Sequence, residues 1–151
     1  MKNYKKIMSV VFLASALSYI GVVSAHSVSG TLGKSDSGAA ATDVYQVDCG
    51  ALAAKVALQV NDQAPTNPSL VSVLAVKGKS ASQLITDPTE NGVATPEVTF
   101  TPTIGKGIYT LIVAKSASSK KGVEKYKATI HCNLANGEHT EKTEPTQVQN
   151  Q

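Results

Sequence analysis

The sequence predicts an all-β fold: a single antiparallel, jelly-roll-like β-sandwich of about seven to eight strands with one disulfide. Three observations lead there. Apolar residues recur with a period of two, turn-forming residues separate the runs at short intervals, and only two cysteines, Cys49 and Cys132, occur in a chain that begins like an exported one.

The runs follow in order. Val28–Leu32 is a first short strand. Asp43–Cys49 alternates with Tyr45, Val47 and Cys49 on one face, and Ala53–Val60 places Val56, Leu58 and Val60 together. Ser69–Val76 is almost continuously apolar, as expected of a strand buried on both faces. Pro96–Thr101 carries Val98 and Phe100, Gly107–Ala114 carries Tyr109, Leu111 and Val113, and Glu124–Asn133 carries Tyr126, Ala128, Ile130 and Cys132. These runs are rich in Val, Ile, Thr and Tyr, which suit a pleated, half-buried surface.

Turn clusters lie between them at residues 61–68, 86–92 and 104–107. Residues 33–41 read as a small, polar, flexible connection, and 116–121 as a Ser/Lys hairpin loop. Residues 51–55 offer at most the start of a short helix. The domain boundaries that follow are 1–25 for a leader, 26–137 for the sandwich and 138–151 for a flexible polar tail with almost no apolar content.

The leader has the parts of a secretory signal peptide: Lys2, Lys5 and Lys6, an apolar stretch from Ile7 to Val23, and Val23-Ser24-Ala25 before the expected cut between Ala25 and His26. No lipobox cysteine stands at that point. The expected location is periplasmic or secreted, with no membrane span in the mature chain. In an oxidising compartment Cys49 and Cys132 are expected to pair. The alternative, a pair of metal-binding thiolates, lacks the C-x-x-C spacing.

Three of the fourteen lysines belong to the leader and arginine is absent, so the mature 126 residues balance 11 lysines against 11 acidic groups. A neutral chain without arginine is a poor partner for nucleic acid, where cations neutralise phosphates and arginine reads guanine. The only aromatic residues after the leader are Tyr45, Phe100, Tyr109 and Tyr126, so the core is expected to be aliphatic.

The strand order resembles that of the bacterial pre-peptidase C-terminal domain, a jelly-roll-like sandwich found on secreted proteins. The residues carrying the likeness are Val28-Ser29-Gly30-Thr31-Leu32, Thr42-Asp43-Val44-Tyr45-Gln46-Val47, Val98-Thr99-Phe100-Thr101, Gly107-Ile108-Tyr109-Thr110-Leu111-Ile112-Val113 and Lys125-Tyr126-Lys127-Ala128-Thr129-Ile130. They span nearly the whole mature chain, but they are strand patterns. The cysteine pair and the isolated single domain depart from the family's usual form. The resemblance implies the sandwich and a secreted accessory role, and it carries no catalytic residues.

Enzymatic chemistry is not expected. There is no G-x-S-x-G elbow and no glycine-rich phosphate loop. Asp43 reads as a turn cap and Asp48 as a solvent-facing residue. A copper-dependent oxidase or oxygenase is the enzymatic alternative, for which the domain offers little substrate surface. The histidines suggest copper as a ligand. Cleavage would give His26 a free α-amine beside its imidazole, a nitrogen pair suited to Cu(II), and His131 or His139 would supply a further donor. If Asn136-Gly137 makes a two-residue hairpin turn, Leu134 pairs with His139, and His131 and His139 then face opposite sides. The sequence thus points to an exported, non-enzymatic binding or accessory module, with a metal site at His26, His131 and His139. The alternative is a structural cell-surface or extracellular module that engages an exported protein or a glycan.

Overall fold

The computed structural model describes residues 26–64, 69–140 and 145–151. Residues 1–25, expected to be a signal peptide cut after Ala25, lie outside the described residues. Among the described residues there are ten strands and no helix: β1 (His26–Leu32), β2 (Ala41–Asp48), β3 (Lys55–Gln63), β4 (Val71–Lys77), β5 (Ser80–Ala81), β6 (Ile85–Asp87), β7 (Val98–Phe100), β8 (Ile108–Lys115), β9 (Glu124–Asn133) and β10 (Thr146–Gln149). No helix among them is long and apolar enough to cross a membrane.

Two antiparallel sheets face each other. One has the order β1-β9-β3-β7, the other β10-β2-β8-β4-β5, with β6 also paired to β4. Leaving aside the two-residue β5 and the C-terminal β10, the chain passes from sheet to sheet at every step except β4 to β6, which pair within the second sheet, in the order of a jelly roll. The alternation seen in the sequence puts Val56, Leu58 and Val60 of β3, Tyr126, Ala128 and Ile130 of β9, Val47 of β2, Val71 and Val73 of β4, and Leu111 and Val113 of β8 in one shared core. Cys49 follows β2 and Cys132 lies in β9, so their disulfide joins the two sheets, with Cα atoms 5.3 Å apart. It closes a loop of 83 residues, for which the chain-entropy account gives about 4–5 kcal/mol.

Several expectations are corrected. β4 is buried on one face only: Val71, Val73 and Ala75 point inward while Ser72, Leu74 and Val76 are half exposed, because its outer face has no layer to cover it. Residues 116–121 are no hairpin loop. They lie on the crossing from β8 to β9, which belong to different sheets. Residues 33–41 make the crossing from β1 to β2, and the two crossings bind each other: Ser118 N donates to Gly38 O at 2.8 Å and Gly122 N to Ser37 O at 3.2 Å.

The polar tail also differs from expectation. Thr146 and Gln147 pair with Gln46 and Tyr45, extending the second sheet along the β2 edge. Beyond them Gly33 N donates to Gln151 O at 2.8 Å. All four side chains of β10 are exposed, so it carries no apolar pattern, and what holds it is backbone pairing to an otherwise open edge.

Candidate functional site

β9 presents the two chemically distinctive clusters of the molecule, one near each end and one on each face. Residues 124 and 131 are separated by an odd number, so their side chains fall on opposite faces, about 23 Å apart along the strand.

On the outer face, His131 is opposite Ala57 of β3, which is in turn opposite Thr99 of β7. Its Nδ1 lies 3.3 Å from Glu97 Oε2, and its buried Nε2 has no hydrogen-bond partner. His139 comes beside it, with ring centroids 4.5 Å apart and planes inclined by 54°. The expectation that these two rings diverge is corrected, because the turn is not a two-residue one. Gly137 N donates to Leu134 O at 3.1 Å and Leu134 N to Glu138 O at 2.7 Å. Ala135-Asn136-Gly137 is therefore a three-residue loop, with Gly137 at a φ of 94°. The extra residue makes Asn133, not Leu134, the partner of His139, which puts His139 on the face of His131.

His26 opens β1 opposite Ile130, and alternation assigns it to the face of Val28 and Leu32. The three imidazoles therefore do not form one compact set. Still, burial, the His139 charge and, more weakly, the His26 charge push the His131 pKa down, against the opposing pull of Glu97.

The inner face is different. Inward positions are apolar along most of each strand, but the last one is charged in three strands, Asp62 in β3, Asp87 in β6 and Lys115 in β8, and the first one in β9, Glu124. All four are buried. With Glu90 from the segment after β6, Asp62 and Glu124 bring one carboxylate oxygen each within 4.8 Å of one another. Burial, followed by the charges of Glu90 and Asp87, lifts Asp62 to about 6. Burial, followed by the charges of Asp62 and Glu90, lifts Glu124 to about 7, with Lys115 and Ser69 pulling the other way.

Sequence reasoning missed this cluster because its members come from distant segments. The available signal was parity: Val56-Leu58-Val60-Asp62 and Tyr109-Leu111-Val113-Lys115 each end an inward-facing series on a charge.

Asp43, read as a turn cap, is instead an inward residue of β2 and 1% exposed. Its Oδ2 accepts from Tyr126 Oη at 2.6 Å and its Oδ1 from Gln151 N at 3.0 Å, while the Tyr45 and Tyr126 hydroxyls lie 2.5 Å apart. Gly30 makes room for this network, since a Cβ there would stand 2.5 Å from the Tyr126 hydroxyl. The turn role belongs to Asp48, which accepts from Gly50 N at 2.9 Å. Comparison of the chain with protein-family models, curated proteins and solved structures finds no match. The likeness to pre-peptidase domains accordingly rests on the strand pattern alone.

Proposed function

We propose that the protein is an exported, non-enzymatic binding module whose ligand is a transition-metal ion, copper foremost, taken at His131 and His139 beside a processed His26. The observation that carries this reading is the state of His131. One ring nitrogen faces a carboxylate, the other is buried and unpartnered, and a second imidazole lies against it. A carboxylate on the far nitrogen is the usual way a metal-binding histidine is oriented and made more basic. Imidazole nitrogens favour Cu(II) over the other divalent first-row ions. The residues thus fit a two-imidazole site, and because β1 starts opposite Ile130, an amine produced by cleavage after Ala25 lies next to His131 in register.

Export is supported by the leader sequence and by the inter-sheet disulfide, which suits a non-cytoplasmic setting. The test is a Cu(II) titration followed by EPR, using protein processed through its own leader, a form with one residue added before His26, and His131→Ala. Stoichiometric nitrogen-coordinated copper that is lost in His131→Ala supports the site, and weakening in the extended form assigns the amine to it. Equal, weak binding by all three removes copper.

That result would favour an interaction module for an exported protein or a glycan. The observation favouring this second reading is the groove flanked by Leu84 and Val93, both more than half exposed, together with Pro88 and Pro96.

A further inference from the structure

We propose that Asp62, Glu90, Glu124 and Ser69 form a calcium-binding site at the end of the sandwich where β3 finishes and β9 begins. The proposal is independent of the histidine reading, since it uses other residues, the other face of β9 and a different class of donor.

The argument begins with how this core treats its other buried carboxylates. Asp43 has both oxygens hydrogen-bonded. Asp87 accepts from Asp62 N at 2.8 Å through Oδ2 and from Thr89 N at 3.0 Å through Oδ1. Glu124 is 0% exposed and neither of its oxygens has a hydrogen-bond partner; Asp62 is 1% exposed and its Oδ1 has none. Lys115 is the buried cation at this end, yet its Nζ donates to Gly122 O at 2.9 Å and Glu124 is left without a hydrogen bond. Ser69, from outside the acidic set, is 1% exposed, and its hydroxyl is turned toward Glu124 without closing to full hydrogen-bond geometry there or on any other group. A buried hydroxyl, both oxygens of Glu124 and one oxygen of Asp62 left without partners are costly unless something binds them.

Geometry and chemistry select the ligand. Oxygens around one calcium ion at about 2.4 Å can be at most about 4.8 Å apart. The oxygens of Asp62, Glu90 and Glu124 meet that bound. An all-oxygen set disfavours zinc and copper. Magnesium requires a near-ideal octahedron and retains its waters, whereas calcium accepts six to eight oxygens in irregular array. Donors from four separate segments, two neighbouring strands of one sheet and two connections between the sheets, suit the more tolerant ion. The groups facing the site are Asp62, Asp87, Glu90, Glu124 and Lys115, an acidic excess that a divalent cation relieves; protons compete for it, most strongly at Glu124 and Asp62.

The experiment is calorimetric. The processed protein, stripped with EGTA, is titrated with CaCl2 and separately with MgCl2 near pH 7.5, and its melting temperature is recorded in each. One calcium per chain is expected, with a dissociation constant at or below the order of 1 mM, a saturable rise in Tm with calcium, and a much smaller response to magnesium. Ser69→Ala should weaken calcium binding several-fold. Glu124→Gln should lose it and melt higher than wild type in EGTA, because the unpaired charge is gone. His131→Ala should bind calcium as wild type does, which separates this site from the histidine one. No calcium heat together with an unchanged Tm would overturn the proposal, as would an equal response to magnesium. If Glu124→Gln fails to fold, the wild-type titration and Ser69→Ala still decide.

Discussion

The two ends of β9 leave polar atoms unpartnered in opposite ways. At its start the unpaired group is an acid, Glu124, facing inward among other acids; near its finish it is a base, His131, facing outward beside a second imidazole. Burial disfavours the charged form at both, so it raises the carboxyl pKa and lowers the imidazole pKa. One physical cause therefore gives opposite pH responses along a single strand. The two proposed sites differ in donor chemistry accordingly: hard oxygens at one end, imidazole nitrogens at the other.

The largest perturbation falls at the histidine end, where Cys132 adjoins His131. Replacing Cys49 and Cys132 together by serine should lower stability by about 4–5 kcal/mol in urea unfolding. A loss below about 1 kcal/mol would mean the sheets hold their register without the staple.

Next is the acidic end in a chelator. A carboxyl at about 7 when folded and near 4.5 when unfolded contributes fully below pH 4.5, and its contribution is lost as pH rises through 7. Asp62 behaves likewise between 3.8 and about 6. Stability without divalent cations should thus fall from pH 5 to pH 8, by on the order of 2 kcal/mol from Glu124 after allowance for solvent screening. Glu124→Gln should flatten that slope. A slope unchanged in the variant would locate the titration elsewhere.

Between the ends lies a carboxylate that is fully paired. Tyr126→Phe removes the hydroxyl that donates to Asp43 and should cost about 1–2 kcal/mol at neutral pH. If it proves neutral, satisfied and unsatisfied carboxylates in this core are less different than their hydrogen bonds indicate.

The smallest effect is at His131. His139→Ala should move its NMR titration midpoint up toward the ordinary histidine value by removing a like charge, and Glu97→Gln should move it down. The sign for folding is the reverse of Glu124: a lowered imidazole loses stability as pH falls below about 6.5. An unshifted midpoint in both variants would mean the rings do not interact.

Much of this was legible in the chain. Seven of the strands were legible, and alternation gave the inward residues of most of them, because side chains in a strand change face at every step regardless of what they pack against; the apolar run of β4 and the inward Asp43 of β2 were misread. The cysteine pairing followed from there being two cysteines in a chain that begins like an exported one. Strands without alternation escaped: β10 has only exposed side chains, and β6 is three residues long within a turn-rich stretch.

The meeting of His131 and His139 depended on one residue of loop length, since a strand that slips by one changes the face of every side chain. The acidic cluster depended on tertiary structure altogether. Asp62, Glu90 and Glu124 are spread over some sixty residues of sequence; the pairing of β3 with β9 in one sheet and the return of the chain after β6 bring their oxygens together. The sequence by itself determined the fold class, most of the inward faces and the staple, all consequences of local periodicity and composition. Which charges share a buried space was decided by the packing of the sheets, because proximity between distant segments is a property of the closed sandwich and of no segment alone.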